Sequence, residues 1–269
     1  VAVLIAYPFY EGRHVNAENT TLTIDGLPSA LKNIRIVYAT DILESARYPQ
    51  SSVDSLVNTI NGLSADLVLF GGNYAENSDA TVSFFEHLPG IHARLGVYGV
   101  LGDCDRAGPD SDITPLIKSM ENAGVTPLVN SVAKVKIGQT ALFLAGSDDK
   151  LNGQPDLTGL ASQVRENDFV IFMGNNPDLL ADALKATGSD GDNHWFDLAL
   201  FGHTLGGQFT FVGLPLKASL VPAAGNRYLS GWLVESRANI LISNGVGTRD
   251  FPARILAPAK IHLITLKNQ

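Results

Sequence analysis

Short apolar runs that stop at polar loops, separated by amphipathic stretches, set the rhythm of this chain. Ile34–Ala39 is a β-rich run ending at Thr40-Asp41, and Ser51–Leu63 then carries apolar residues at helical spacing. Asp66–Phe70 repeats the unit, ending in Gly71-Gly72-Asn73 ahead of a helical Asp79–Leu88. Leu95–Leu101 does so again and opens into Gly102-Asp103-Cys104-Asp105, with the next helix expected over Ile113–Ala123. The texture then changes. Ala133–Ile137 and Thr140–Ala145 read as a hairpin around Gly138-Gln139, the connection expected of antiparallel strands.

Phe169–Met173 and Asp197–Phe201 are again buried runs, opening into Gly174-Asn175-Asn176-Pro177-Asp178 and Gly202-His203-Thr204-Leu205-Gly206-Gly207-Gln208. Asn239–Ser243 and Lys260–Leu266 close the pattern. Ligands of open α/β sheets sit outside the carboxyl ends of the strands, so five polar loops gathered at one edge form the expected site.

Composition narrows the picture. A 269-residue chain that is 45% hydrophobic can build a sizeable core. Without repeats or low-complexity tracts, it reads as one domain over 20–269, preceded by an N-terminal extension over 1–19. Val1–Tyr7 is an apolar run that Pro8 cuts off, well short of the roughly 20 residues that span a bilayer. The start at Val1 reads as processed or trimmed, so membrane association would come through a segment upstream. The compartment stays open between cytoplasmic and membrane-associated extracytoplasmic, and the sequence leaves the oligomeric state undetermined.

A net charge of −8 argues against a nucleic-acid partner, which calls for clustered Lys and Arg, and favours cations at the acidic loops. The single cysteine, Cys104, rules out an intrachain disulfide and a multi-thiolate zinc site. The acidic stretch Ser189–His194 lacks calcium-loop spacing and reads as solvated surface. The N-x-T triplet at Asn19 carries little weight, and no G-x-S-x-G elbow supports a serine hydrolase.

In order and wording, the five loops resemble those of the calcineurin-like metallophosphoesterases, especially their bacterial, single-domain, often membrane-associated branch. The likeness runs from about Thr20 to Leu266 and includes the glycine-rich turn Ile240–Thr248 with Pro252-Ala253-Arg254. The family's loops read D-x-H, G-D, G-N-H-D, a lone H before N-P-D, and G-H-T-H-G-G-Q. The resemblance implies a sandwich of two mixed β-sheets flanked by helices. It also implies two divalent ions that clamp a phosphate and activate a bridging water.

On that resemblance Asp41 and Leu43 fall on first-ion positions, Asn73 on the bridging position, and Asp103, Asn175 and His203 on second-ion positions. Leu205 takes the remaining first-ion position, and only Asp41 and His203 keep the family's residue. Leucine has no lone pair to offer, and Asn73 replaces an anionic bridge with a neutral amide. At most one divalent ion, of Mn, Mg, Fe, Zn or Ca, would then be held, by Asp41, Asn73, Asp103, Asn175 and His203. Cys104 stands where the family has its proton-donating histidine, and Asp105 where it has that histidine's orienter. A thiol is a poor general acid, and beside two aspartates it reads as a structural cysteine.

Three functional expectations follow. The first is a degenerate, inactive or impaired phosphoesterase that keeps a cleft for a phosphorylated or anionic small molecule. The second is a one-metal phosphoesterase, and the third a non-catalytic interaction scaffold, favoured if Leu43 and Leu205 fill the former cleft.

Overall fold

A computed structural model describes residues 2–211 and 214–269. In chain order, α1 (Ala2–Arg13), β1 (Asn16–Ile24), β2 (Arg35–Ala39), α2 (Gln50–Gly62), β3 (Leu67–Phe70), α3 (Ser78–His87), β4 (Val97–Gly99), α4 (Thr114–Asn122) and β5 (Val125–Pro127) come first. They are followed by β6 (Ser131–Ile137), β7 (Thr140–Gly146), α5 (Leu157–Ala161), β8 (Phe169–Met173), α6 (Leu180–Ala183) and β9 (Leu198–Phe201). The small pair β10 (Thr210–Phe211) and β11 (Leu214–Pro215), then β12 (Gly231–Glu235), β13 (Ala238–Ile242) and β14 (Lys260–Asn268), complete the order.

Two six-stranded mixed sheets result, ordered β1-β14-β2-β3-β4-β5 and β12-β13-β9-β8-β7-β6. Within them β2, β3, β4 and β5 run parallel, as do β7, β8, β9 and β13. Strand alternation explains the layering, because successive side chains point to opposite faces. Ile36, Tyr38, Leu67, Leu69 and Ile264 meet Leu142, Leu144, Ile171, Met173, Leu198 and Leu241 between the sheets.

The intervening residues Val37, Val68 and Phe70 point the other way, onto Val53, Leu56, Val57 and Ile60 of α2 and Phe84 and Phe85 of α3. Those α2 residues recur at i, i+3, i+4 and i+7, the stripe that docks a helix on a sheet. On the far side, Val170, Phe172, Ala199 and Phe201 pack against Leu160, Leu180, Ala183 and Trp195. Both faces of each sheet are thus covered, the α/β sandwich of two mixed sheets flanked by helices that the sequence implies. The predicted hairpin is present, with Ile137 opposite Thr140 and Gly138 at φ +61° in a two-residue turn.

One expectation about the N-terminal segment is corrected. The boundary drawn after residue 19 falls inside β1, which pairs with β14 from Asn16 onward. Ahead of it, α1 runs through Pro8 to Arg13. Tertiary contacts hold the second half of that helix: the Pro8 carbonyl accepts from Arg254 N at 2.9 Å, and the Phe9 and Phe251 ring centroids lie 5.5 Å apart. Among the described residues no helix is long and apolar enough to cross a membrane.

Candidate functional site

The loops that follow parallel strands β2, β3, β4, β8 and β9 bring Asp41, Asn73, Asp103, Asn175 and His203 into one hydrogen-bonded cluster. The Asn73 side-chain nitrogen is its hub, donating to Asp41 Oδ1 at 2.9 Å, Asp103 Oδ1 at 2.9 Å and Asn175 Oδ1 at 3.1 Å. Its carbonyl oxygen accepts from the Cys104 backbone at 2.9 Å, which fixes which end of the amide faces the carboxylates. Asn175 donates in turn to the Gly71 carbonyl at 2.7 Å, so its oxygen is left for Asn73. Asp41, fully buried, also accepts from the His203 backbone at 2.8 Å and the Thr40 hydroxyl at 2.9 Å.

Close loop packing and unusual backbone go together here. Asp41, Leu43, Asn73, His203 and Leu205 have φ of +50°, +51°, +58°, +67° and +52°. The left-handed region is uncommon for non-glycine residues and gathers at sites that hold ligands or other constrained geometry. A side chain at Gly102 would collide with Asn73 Oδ1, and one at Gly202 with Asp41 Oδ2, so glycine at both positions lets the loops touch.

Leu43 and Leu205 form an apolar knot with Leu220, against which the half-buried Cys104 packs. Burial pushes the Cys104 thiol up to about 12, with Asp103, Asp105 and Asp41 adding to the rise and Arg249 opposing it. The thiolate a nucleophile needs is therefore suppressed. Asp105 splices the β3 and β4 loops together, accepting from Asn73 N, Tyr74 N, Gly102 N and the Thr81 hydroxyl at 2.7 to 3.0 Å. Burial lifts its carboxyl to about 7 against those four donors, which favour the ionised form.

Two further loops, after β7 and β13, contribute residues that sequence patterning did not single out. Arg249 comes from the glycine-rich turn after β13, its Nη2 lying 2.9 and 3.1 Å from the two Asp103 oxygens and 3.5 Å from Cys104 Sγ. His203 Nδ1 is 3.1 Å from the same carboxylate. Burial works against the Asp103 charge, yet His203 and Arg249 outweigh it and hold the carboxyl well below the usual carboxylate range. The Arg249 guanidinium is likewise held protonated, its burial outweighed chiefly by Asp103.

Asp149, fully buried, comes from the loop after β7. Its Oδ2 accepts from Leu151 N at 2.8 Å and Asn152 N at 2.6 Å, while its Oδ1 has no partner. Burial raises its carboxyl, and the Asp103 charge adds to the rise. Asn152 donates to the Asp103 carbonyl at 2.7 Å, tying this loop to the others. The Ser189–His194 stretch lies largely exposed and joins none of these hydrogen bonds.

Such an arrangement, with strand-end loops of two packed mixed sheets converging on buried carboxylates, amides and an imidazole, is that of a phosphoesterase-type α/β sandwich. No family model matches the chain. It is 26% identical over 266 residues to the uncharacterized metallophosphoesterase YkuE of Bacillus subtilis, spanning 97% of this chain and 88% of that one. It is 23% identical over 278 residues to an uncharacterized metallophosphoesterase of Aquifex aeolicus, spanning 100% and 98%.

Among solved structures, the NAD nucleotidase NadN of Haemophilus influenzae aligns at a TM-score of 0.49 and 11% identity over 80% of this chain and 50% of that one. Over nearly its whole length the chain is thus similar to several metallophosphoesterases, at 23–27% identity. That family depends in general on divalent metal. Among the described residues here, no group of three or more His, Cys, Asp or Glu side chains is arranged to hold an ion.

Proposed function

We propose that this chain is a calcineurin-like metallophosphoesterase homologue in which a side-chain hydrogen-bond network stands where two metal ions would sit, and that two-ion phosphoester hydrolysis has been lost. One observation carries the reading. The Asn73 side-chain nitrogen, its two hydrogens shared among three acceptors, lies 2.9 to 3.1 Å from oxygens of Asp41, Asp103 and Asn175, on the side from which a bridging cation would have to approach them. Donor hydrogens and a metal ion compete for the same lone pairs.

The donor set agrees, since Leu43 and Leu205 offer no lone pair and are sealed into the knot with Leu220. Cys104, with its raised thiol pKa, would be a poor proton donor to a leaving oxygen near neutral pH. The residues thus do not fit a dinuclear centre. What remains suits binding of a phosphorylated or anionic small molecule, for which Arg249 keeps Nε without a partner.

The test is hydrolysis of bis(p-nitrophenyl) phosphate by the full chain supplied with Mn²⁺ or Mg²⁺. The expected rate is that of buffer with metal alone. Robust metal-dependent turnover, abolished by Asp41→Ala, overturns the reading.

A one-metal phosphoesterase using Asp41, Asn73, Asp103, Asn175 and His203 draws its support from the partnerless, buried Asp149 Oδ1, an oxygen short of a cation or donor. The scaffold reading draws on exposed Phe211, Leu214, Leu216 and Leu256, which offer apolar area to a partner.

A further inference from the structure

Resting on the reading above, we infer that Arg249 is a tethered cation that keeps divalent metal out of the Asp103 side of the site, and that removing its charge creates a one-ion site of Asp103, Asn175 and His203. Two carboxylates, the buried Asp41 and the half-buried Asp103, share the Asn73 hub. Burying such charges without compensation is costly, so a cation is needed beside them. Arg249 supplies it at Asp103, with one nitrogen straddling both carboxylate oxygens.

The guanidinium is delivered by a braced loop. Gln208 accepts from Arg249 N at 2.9 Å and donates to its carbonyl at 2.9 Å, holding the residue by both of its backbone polar groups. Gln208 also donates to the Phe251 carbonyl at 3.0 Å. One turn further on, the buried Arg254 donates to the carbonyls of Asn244, Gly245 and Gly247 at 2.6 to 3.2 Å, fixing the glycine-rich turn that presents Arg249. The charge is thus pre-positioned, and little ordering entropy is lost in keeping it there.

Consider what a divalent ion would meet. Asp103 carboxylate, Asn175 Oδ1 and the His203 imidazole form a mixed oxygen and nitrogen donor set suited to Mn²⁺, Fe²⁺ or Zn²⁺. Each of these donors is already engaged, Asp103 by Arg249 and His203, Asn175 by Asn73. An ion on Asp103 would also lie within a few ångströms of a fixed positive charge, where like charges in a partly buried site repel strongly. Arg249 and the ion are therefore mutually exclusive occupants. With the guanidinium gone, Asp103 loses its counter-charge and the ion becomes the best replacement, drawn further by the Asp149 carboxylate in the adjoining loop, whose Oδ1 has no partner.

The experiment is calorimetric Mn²⁺ titration of the chelator-treated full chain as wild type, Arg249→Met, Arg249→Lys and Arg249→Met/Asp103→Asn. Arg249→Met is expected to take about one equivalent, roughly tenfold or more tighter than wild type, or about 1.4 kcal/mol or more. Arg249→Lys, which keeps the charge, should stay near wild type, and adding Asp103→Asn should erase the gain. A folded Arg249→Met that binds Mn²⁺ no tighter than wild type overturns the inference. If Arg249→Met does not fold without metal, refolding followed by circular dichroism decides, since recovery with Mn²⁺ supports the inference and its absence overturns it. Two equivalents on wild type accompanied by phosphodiester turnover would instead overturn the loss of two-ion catalysis, so the two failures are told apart.

Discussion

The site has two neighbouring halves built from the same loops, and they are stabilised by opposite means. Leu43, Leu205 and Leu220 form a dry knot, while Asp41, Asn73, Asp103, Asn175, His203 and Arg249, some only two residues away along the same loops, form a charged network. The first half is held by burial and dispersion, the second by mutual pairing of groups that would be costly alone. The contrast teaches that a polar cradle can lose its purpose in two ways. It can be filled with hydrocarbon, or it can be closed on itself with hydrogen bonds and an internal cation.

Breaking the polar half should have the largest effect. Asn73→Asp would set a third carboxylate against Asp41 and Asp103, and without metal it should lose roughly 3–5 kcal/mol of stability in urea denaturation. A cost below about 1 kcal/mol would mean that the hub is not what satisfies those carboxylates. Breaking the apolar half comes next. Leu205→Ala, at a fully buried position, should cost about 2–4 kcal/mol in the same assay, while leaving the pH dependence of stability unchanged.

The pH dependence sharpens the contrast, because only the polar half titrates. Asp103 is held below its unfolded-state pKa, so the folded form binds fewer protons and its contribution is intact above about pH 4 and lost as pH falls further. Stability measured between pH 5 and pH 2 should drop less steeply in Arg249→Met than in wild type. Asp105, raised to about 7, works the other way, its folded form holding a proton that the unfolded form has released. Its contribution therefore declines as pH rises from about 4 to about 7, and Asp105→Asn should remove that decline. Smallest of all, Cys104→Ala at the seam of the two halves should cost about 1 kcal/mol and leave Mn²⁺ titration unaltered.

Much of this was legible in the chain. Val53, Leu56, Val57 and Ile60 announce α2 by their spacing, and the run Phe169–Met173 announces a strand buried on both faces. The five loops come together where strand direction says they should. Other elements lack such a signature. β1 reads Asn-Ala-Glu-Asn-Thr-Thr-Leu-Thr-Ile, mostly polar because it is an edge strand, and it becomes a strand through its pairing with β14. α1 holds Pro8 in its interior, where proline is disfavoured, with Arg254 N on the Pro8 carbonyl and Leu256 N on Glu11.

At the site, residue types were readable but their orientations were not. Nothing in Gly71-Gly72-Asn73 tells that the amide nitrogen, rather than its oxygen, faces the carboxylates, because that is fixed by the Cys104 backbone donor 31 residues away. Arg249 reaches Asp103 across 146 residues, a contact no local pattern encodes, although a lone cation in a glycine-rich turn near acidic loops was a usable hint.

The placement of β14 bears on how the molecule is made. Residues 260–268 insert between β1 and β2, so the first sheet has a gap in its middle until that segment has left the ribosome. Until then two strands wait with open backbone edges, β2 on one side and β1 on the other, and the cleft loops rest on an unfinished floor. Unpaired edges invite pairing with other chains, so the interval before these nine residues emerge leaves this sheet open to such pairing.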